Sequence, residues 1–245
     1  MERLREAVLA EFQRQEEFLL QDFAGVDGAK FFPMTSQPTI GAPYSEIALT
    51  ANAFDHPDWM RAHPIQITRR WSGADAPDSR HAEARILWTD EFLLVRFVCR
   101  QAEPLIINSN PLLNKKTLRL WDGDVCEIFI APNPKTPERY FEFEASPTGE
   151  WVDLAIILKP SGRKTDFEFQ SGMTAAAIVD GSQVTIAMQI PWSGFLPKPQ
   201  KGDVWRINLF RCVGVGDDRY LAWQPTYTAE PSFHVPGVFG WLDFL

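Results

Sequence analysis

The feature that most constrains the fold is a series of about ten short apolar segments, separated by turn residues, that follows residue 65. The segments are rich in Val, Ile, Phe and Trp, and several alternate apolar with polar residues, as strands with one buried face do. Asp180-Gly181, between two such segments, is typical of a tight hairpin turn. The sequence therefore predicts a mainly β protein, an antiparallel β-sandwich with immunoglobulin-like or jelly-roll-like layers.

The predicted strands are, in chain order, 82–88, 92–100, 125–130, 140–145, 151–158, 173–179, 184–190, 204–212, 219–223 and 238–244. Residues 1–23 instead carry apolar side chains at helical spacing, without Pro or Gly, and predict an amphipathic N-terminal helix. Residues 31–64 contain five prolines and little periodicity, so we expect a long segment that covers a surface. The predicted organisation is an N-terminal helix with a covering segment over 1–64 and a β-sandwich domain over 65–245.

The stretch Trp121–Ile130 begins with a large aromatic residue and two acids and continues directly into a strand. The strand face that carries Cys126 and Ile128 is wholly apolar and fits a core. The opposite face carries Glu127, whose carboxylate must either reach solvent or be held by donors in a cleft. In the cleft hypothesis, Trp121 lies at the mouth of a groove floored by Glu127. Spacing alone favours the alternative, in which Trp121 covers the core and Glu127 is solvated.

Charge and cysteine usage narrow the classes of partner. A formal net charge of −8 disfavours nucleic acid and anionic membranes, and no apolar run approaches the ~20 residues of a membrane span. Cys99, Cys126 and Cys212 lie in predicted strands without a CxxC pair, which predicts buried free thiols. The N-terminus lacks the apolar centre and cleavage site of a signal peptide. We therefore expect a cytoplasmic protein, or a periplasmic or secreted one if a leader has been removed.

Six stretches in a fixed order carry a resemblance to a known family. Among them are Trp121-Asp-Gly-Asp-Val-Cys-Glu-Ile-Phe-Ile, Val184-Thr-Ile-Ala-Met-Gln-Ile-Pro-Trp and Phe233-His-Val-Pro-Gly-Val-Phe-Gly. Together they resemble the carbohydrate-binding module family nine and its wider relatives, a β-sandwich class related to the DOMON domains. The resemblance spans roughly residues 65–245. It implies a non-catalytic protein linked to polysaccharide catabolism, with a mono-, oligo- or polysaccharide as its partner.

Proteins of this family hold a sugar between two aromatic side chains, while acids and amides bond its hydroxyls. The resemblance places the two aromatics at Trp121 and Phe233 and the accompanying acid at Glu127. Pyranose rings have apolar C–H faces and polar edges, so the site needs further polar groups around its aromatic walls. The other candidates for sugar contacts are Glu144, Asn208, Arg211 and His234.

Two positions depart from the family pattern. Phe233 stands where a tryptophan is expected, which keeps a flat face but loses area and an N–H donor. Glu144 stands near a position where the sugar-binding pattern has a basic residue, so a charge is reversed. The reversal fits either a different sugar or a site that no longer binds one.

The same acids suggest two other roles. Glu127, Glu144 and Asp124 could supply the acid and base of a glycoside hydrolase or glycan-processing component. This hypothesis is the weaker one, because carboxylates on neighbouring strands of an acidic protein are usually solvated or hydrogen-bonded. Asp122 and Asp124 could bind calcium, which relatives use for loop stability. Asp-Gly-Asp lacks a full calcium-loop pattern, so a role as turn acids is favoured.

A third alternative is haem, which some DOMON relatives bind through Met and His. The corresponding residues are Met188 in a predicted strand and His234 in a loop, and no spacing forces them together.

Trp59 lies in the covering segment, where we expect it to overhang the groove.

Overall fold

The computed structural model describes residues 37–245, which form two β-sheets packed face to face. The helix predicted over residues 1–23 lies outside the described residues. Within residues 37–245 the chain contains no α-helix, only 3₁₀ turns. None of those turns has the length and apolar character needed to cross a bilayer.

Fourteen strands are present in the described part of the chain. They are β1 (Thr39–Ala42), β2 (Ile65–Ile67), β3 (Arg69–Arg70), β4 (Ala82–Trp88), β5 (Phe92–Arg100), β6 (Val125–Ala131), β7 (Arg139–Ala145), β8 (Trp151–Lys159), β9 (Gly162–Asp166), β10 (Thr174–Asp180), β11 (Gln183–Pro191), β12 (Val204–Cys212), β13 (Tyr220–Ala222) and β14 (Gly240–Phe244). All ten predicted strands are found. β1, β2, β3 and β9 were not predicted, because they are short or polar.

The strands divide between a nine-stranded and a five-stranded sheet. The larger sheet has the order β1-β14-β12-β6-β7-β8-β9, and β13 pairs with both β12 and β3. The smaller sheet has the order β10-β11-β5-β4-β2. Every pair is antiparallel except β1 with β14. The predicted mainly β sandwich is therefore confirmed.

The main core lies between the two sheets. Cys126, Ile128 and Ile130 of β6 point into it and meet residues such as Phe97 of β5. All three cysteines are free and buried, as predicted, and the Cys99 and Cys126 sulfurs lie 3.4 Å apart across the layers. A second apolar cluster covers the opposite face of the larger sheet. Because both faces of that sheet are covered, β6 is buried along its whole length.

The covering segment packs on the outer face of the smaller sheet. Trp59 is buried there against Leu87 and Leu94. Its indole N–H donates to the Ala53 carbonyl at 2.8 Å, and the Arg96 guanidinium lies 5.1 Å from the ring centroid. The expectation that Trp59 overhangs a groove is therefore wrong, because its ring fills a local core.

Gly240 allows the Trp223 indole to lie directly against β14. A Cβ atom at position 240 would overlap that ring and lie 2.9 Å from the Pro38 carbonyl oxygen. We expect Gly240→Ala to lower the free energy of unfolding by about 1–3 kcal/mol, as overpacking does, in urea denaturation. Gly237→Ala is the matched control, because a Cβ there meets no atom within 4 Å. Equal losses in the two variants would contradict this account.

Candidate functional site

A cavity of about 300 Å³ opens on the face of the nine-stranded sheet that is turned away from the five-stranded sheet. Its floor comes from the central strands of the sheet, and its walls come from the turn before β6, the strand β9 and the loop before β14. Its lining includes Trp121, Asp122, Glu127, Phe129, Glu142, Leu154, Arg163, Thr165, Phe167, Cys212, Tyr220, Phe233 and His234.

Strand pairing gathers three glutamates beneath this cavity. Glu127 of β6 lies opposite Glu144 of β7, and Phe129 lies opposite Glu142. Since alternate residues of a strand point the same way, Glu127, Glu142 and Glu144 share the outer face of the sheet. One carboxylate oxygen from each lies within 4.8 Å of those from the other two. We call these three residues the acid cluster.

The acid cluster is almost completely removed from water. Glu127 is 2% exposed, Glu142 4% and Glu144 0%. Glu127 and Glu142 line the cavity, whereas Glu144, beside Glu127 on the same sheet face, is not part of the lining. Glu127 Oε1 accepts a hydrogen bond from the Cys212 thiol at 3.4 Å. The interpretation of Glu127 as a solvated strand residue, which spacing alone favoured, is therefore wrong.

Burial raises the pKa of all three carboxyl groups above the usual value for glutamate. The charge of Glu142 raises the pKa of Glu127 further, and the charges of both neighbours raise that of Glu144. The physical cause is that a carboxylate loses its hydration in the cluster and meets other negative charges there. The cluster therefore favours a bound proton or a cation.

Two aromatic residues from distant parts of the chain line the same cavity. Phe233 stacks on Phe210 with ring centroids 4.0 Å apart and an interplanar angle of 13°, and the Tyr220 ring meets it edge-on at 5.9 Å. Trp121 is half-buried in the turn that precedes β6. The structure thus brings Trp121 and Phe233, the predicted aromatic pair, to one cavity.

The turn that carries Trp121 is held by hydrogen bonds on both sides. The Arg219 guanidinium donates to the carbonyls of Asp122 and Gly123, at 3.1 and 2.6 Å. The Asp124 carboxylate accepts from the backbone N–H groups of Gly214 at 2.9 Å and Ile106 at 3.3 Å. These contacts fix the start of β6 and hence the position of the indole.

Asp122 and Asp124, the predicted calcium ligands, already have protein partners. The Asp122 carboxylate forms an ion pair with Arg119 at 2.7 Å, and Asp124 is buried among backbone donors. Both acids therefore act as turn acids in this structure, and calcium binding by them stays a prediction.

His234 lies over the aromatic floor of the cavity. Its Nδ1 and the Tyr140 hydroxyl form a hydrogen bond of 2.8 Å, and its ring centroid lies 5.3 Å from that of Phe129. Burial, together with the charge of Arg163, lowers the pKa of His234 to about 3. The imidazole is therefore neutral at neutral pH, and its 4.0 Å approach to the Glu142 carboxylate is not an ion pair.

Asn208 and Arg211, also predicted as sugar contacts, do not line the cavity. The Asn208 amide is buried and bonds both backbone groups of Gln224. The Arg211 side chain points away from the cavity, into the space between the two sheets. Its guanidinium donates to the carbonyls of Arg80, His81 and Arg100 and to the Gln101 side chain. The structure thus gives both residues architectural contacts.

Sequence reasoning missed several residues that line the cavity. Glu142 was identifiable, because alternation places it on the same face of its strand as Glu144. Arg163 and Thr165 lie on β9, a polar strand without apolar alternation, and only their spacing indicates a shared face. Tyr220 opens β13, where nothing in its neighbourhood predicts a cavity.

The alternative functions fit the geometry less well. Met188 is buried between the sheets, whereas His234 lies on the far face of the larger sheet. These two residues therefore cannot bind one haem. Of the three acids proposed for hydrolysis, only Glu127 lines the cavity, while Asp124 and Glu144 do not reach it.

The described residues thus form a β-sandwich with a cavity on one sheet face. The chain belongs to the carbohydrate family 9 binding domain-like family, whose model matches residues 53–244. No curated protein sequence matches the chain.

Solved structures share this fold. One is a protein from Bacteroides uniformis ATCC 8492, provisionally described as carbohydrate-binding, with 18% identity and a TM-score of 0.61 over 86% of this chain and 100% of that one. Another is a carbohydrate binding module family 9 protein from Caldicellulosiruptor kristjanssonii in complex with cellotriose, with 12% identity and a TM-score of 0.58 over 84% of this chain and 93% of that one. A structure of such a module from the same organism with glucose has 14% identity and a TM-score of 0.57, over 85% and 96%.

Arg211 provides a test of its architectural role. We expect Arg211→Leu to lower the free energy of unfolding by about 3 kcal/mol or more, because several buried acceptors lose their donor. Urea denaturation measures the change. Arg61→Leu, which removes an arginine with a half-exposed side chain paired to Asp58, should cost less than about 1 kcal/mol. A loss for Arg211→Leu no greater than for this control would contradict the role.

Proposed function

We propose that this protein binds one sugar unit of a mono-, oligo- or polysaccharide in the cavity between Trp121 and Phe233, without converting it. The observation that carries the proposal is that these two residues, far apart in sequence, line one cavity with a carboxylate floor. Family membership supports it, and so does a fold shared with modules in complex with cellotriose and glucose. As the resemblance implies, such a protein would serve polysaccharide catabolism as a non-catalytic component.

The lining suits the two kinds of surface that a pyranose presents. Its C–H faces pack on flat aromatic rings, and its hydroxyls need donors and acceptors in the plane between them. Phe210 occupies one face of Phe233, and the exposed part of the Phe233 ring, about 8%, lies in the cavity lining, where a ligand would contact it. Glu127 and Thr165 line the cavity, where they would bond the hydroxyls.

The expected affinity is modest. Polar lining groups lose water when a sugar binds, and this cost offsets much of the gain from stacking and hydrogen bonding. We therefore expect dissociation constants between millimolar and micromolar, about −4 to −8 kcal/mol.

Binding fits the geometry better than hydrolysis does. The catalytic acid and its partner flank the scissile bond, and the acids predicted to accompany Glu127 do not line the cavity. Glu142 does line it, but it lies beside Glu127 in one cluster on the cavity floor. The lining residues require no chemistry beyond stacking and hydrogen bonding to hold a sugar.

Loss of the indole should weaken sugar binding selectively. We expect Trp121→Ala to reduce the affinity for glucose, cellobiose or cellotriose at least tenfold, about 1.4 kcal/mol, in isothermal titration calorimetry. Trp241→Ala is the matched control, because that half-buried indole stacks on Arg206 and does not line the cavity. Sugar binding that survives Trp121→Ala unchanged would remove Trp121 from the site.

A further inference from the structure

The acid cluster contains more negative charge than a sugar site needs. A neutral sugar requires acceptors at the cavity surface, which Glu127 and Glu142 already provide. Glu144, the third acid, is fully buried and is not among the residues that line the cavity. A third buried carboxylate raises the electrostatic cost of the site and has no role in the binding proposed above.

Three carboxylate oxygens of the cluster have no donor. Within residues 37–245, both oxygens of Glu144 and Oε2 of Glu142 are buried and accept no hydrogen bond from a group outside the cluster, although Glu142 and Glu144 lie close enough to share a proton. No arginine or lysine of this part of the chain forms an ion pair with the three glutamates. Arg219, whose charge acts on Glu127, donates instead to the carbonyls of Asp122 and Gly123. The charge of Arg163 acts on Glu142 in the same way, also without an ion pair. The cluster thus holds three close acidic groups that no salt bridge neutralises.

We propose that Glu127, Glu142 and Glu144 bind a divalent cation, with Ca²⁺ as the preferred ion. The oxygens that lie within 4.8 Å of one another fit around an ion with Ca²⁺–oxygen distances of about 2.3–2.6 Å. An all-carboxylate donor set suits a hard cation better than zinc or copper. This site is distinct from Asp122 and Asp124, whose carboxylates already have protein partners.

The position of the ion gives it a role in recognition. Because Glu127 and Glu142 line the cavity, an ion held by the cluster would lie at the cavity floor, within reach of a bound ligand. Sugar hydroxyls are oxygen ligands of the kind that Ca²⁺ accepts. This second step rests on the proposed sugar binding, whereas ion binding itself does not.

Direct ion binding tests the proposal without any sugar. The protein is first treated with a chelator and then titrated with Ca²⁺ by calorimetry, and with Tb³⁺ by luminescence sensitised through Trp121. We expect one site per chain and a Ca²⁺-dependent rise in Tm of about 4 °C or more at saturating Ca²⁺. Absence of Ca²⁺ binding to the wild type would overturn the proposal and indicate that protons neutralise the cluster.

Isosteric variants locate the ion. Glu144→Gln should weaken Ca²⁺ binding at least tenfold, yet fold at least as stably without the ion, because it relieves repulsion among like charges. Glu127→Gln should weaken Ca²⁺ binding by a similar factor. The surface variant Glu46→Gln should leave Ca²⁺ binding unchanged. Asp122→Asn removes a nearby negative charge but no proposed ligand, so it should weaken Ca²⁺ binding far less than Glu144→Gln does. Binding insensitive to Glu144→Gln, or lost in Asp122→Asn, would contradict the assignment.

Sugar titrations with Ca²⁺ and with chelator separate this proposal from the previous one. Sugar affinity that falls at least tenfold in chelator supports coordination of the sugar by the ion. Sugar binding unaffected by chelator would overturn the recognition role and leave the proposed function standing. Ca²⁺ binding without any sugar binding would uphold the ion site and reject the sugar site.

Discussion

The register between β6 and β7 is the constraint on which the rest of the site depends. It sets Glu127 opposite Glu144 and thereby concentrates three carboxylates on one sheet face. A slip of β7 by one residue would turn Glu142 and Glu144 toward the apolar layer and bring Phe143 out of the core to the cavity face, at a large cost in free energy. The hydrophobic pattern of the two strands therefore specifies both the core and the charge of the floor. The electrostatic character of the cavity is a by-product of the same alternation that folds the sandwich.

The walls of the cavity have a different origin from its floor. The indole of Trp121 is positioned by a turn that Arg219 and Asp124 tie to neighbouring loops, and Phe233 is positioned by stacking on Phe210. These elements are far apart in sequence and meet only because β12 and β6 are neighbours in the sheet. The site is therefore assembled by tertiary structure, and no continuous segment contains it.

Alternation and turn residues were sufficient to predict every long strand and the sandwich. They could not reveal β9, whose sequence Gly-Arg-Lys-Thr-Asp is polar throughout, although it forms one wall of the cavity. Nor could they assign Arg211 to the correct side of the sheet, because its direction relative to Glu127 depends on the pairing of two distant strands. Burial of the acids was equally hidden, since it depends on loops that cover the sheet. Trp121 and Phe233 were predicted as a pair from the family resemblance, because no local sequence pattern indicates that they lie close together.

The segment between β13 and β14 carries Phe233 and His234, and its only regular structure is a 3₁₀ turn at Pro236–Val238. It is attached to the rest of the domain through the Asn208 amide at its start and through ring stacking of Phe233. Between these anchors the backbone N–H groups of Thr226 and Tyr227 donate to the Trp71 carbonyl, and these bonds are not part of a strand ladder. Substitutions or length changes there can reshape the entrance while the strands beneath keep their order. Sequence changes confined to this one segment could therefore alter the shape of the cavity entrance without a change in the sandwich.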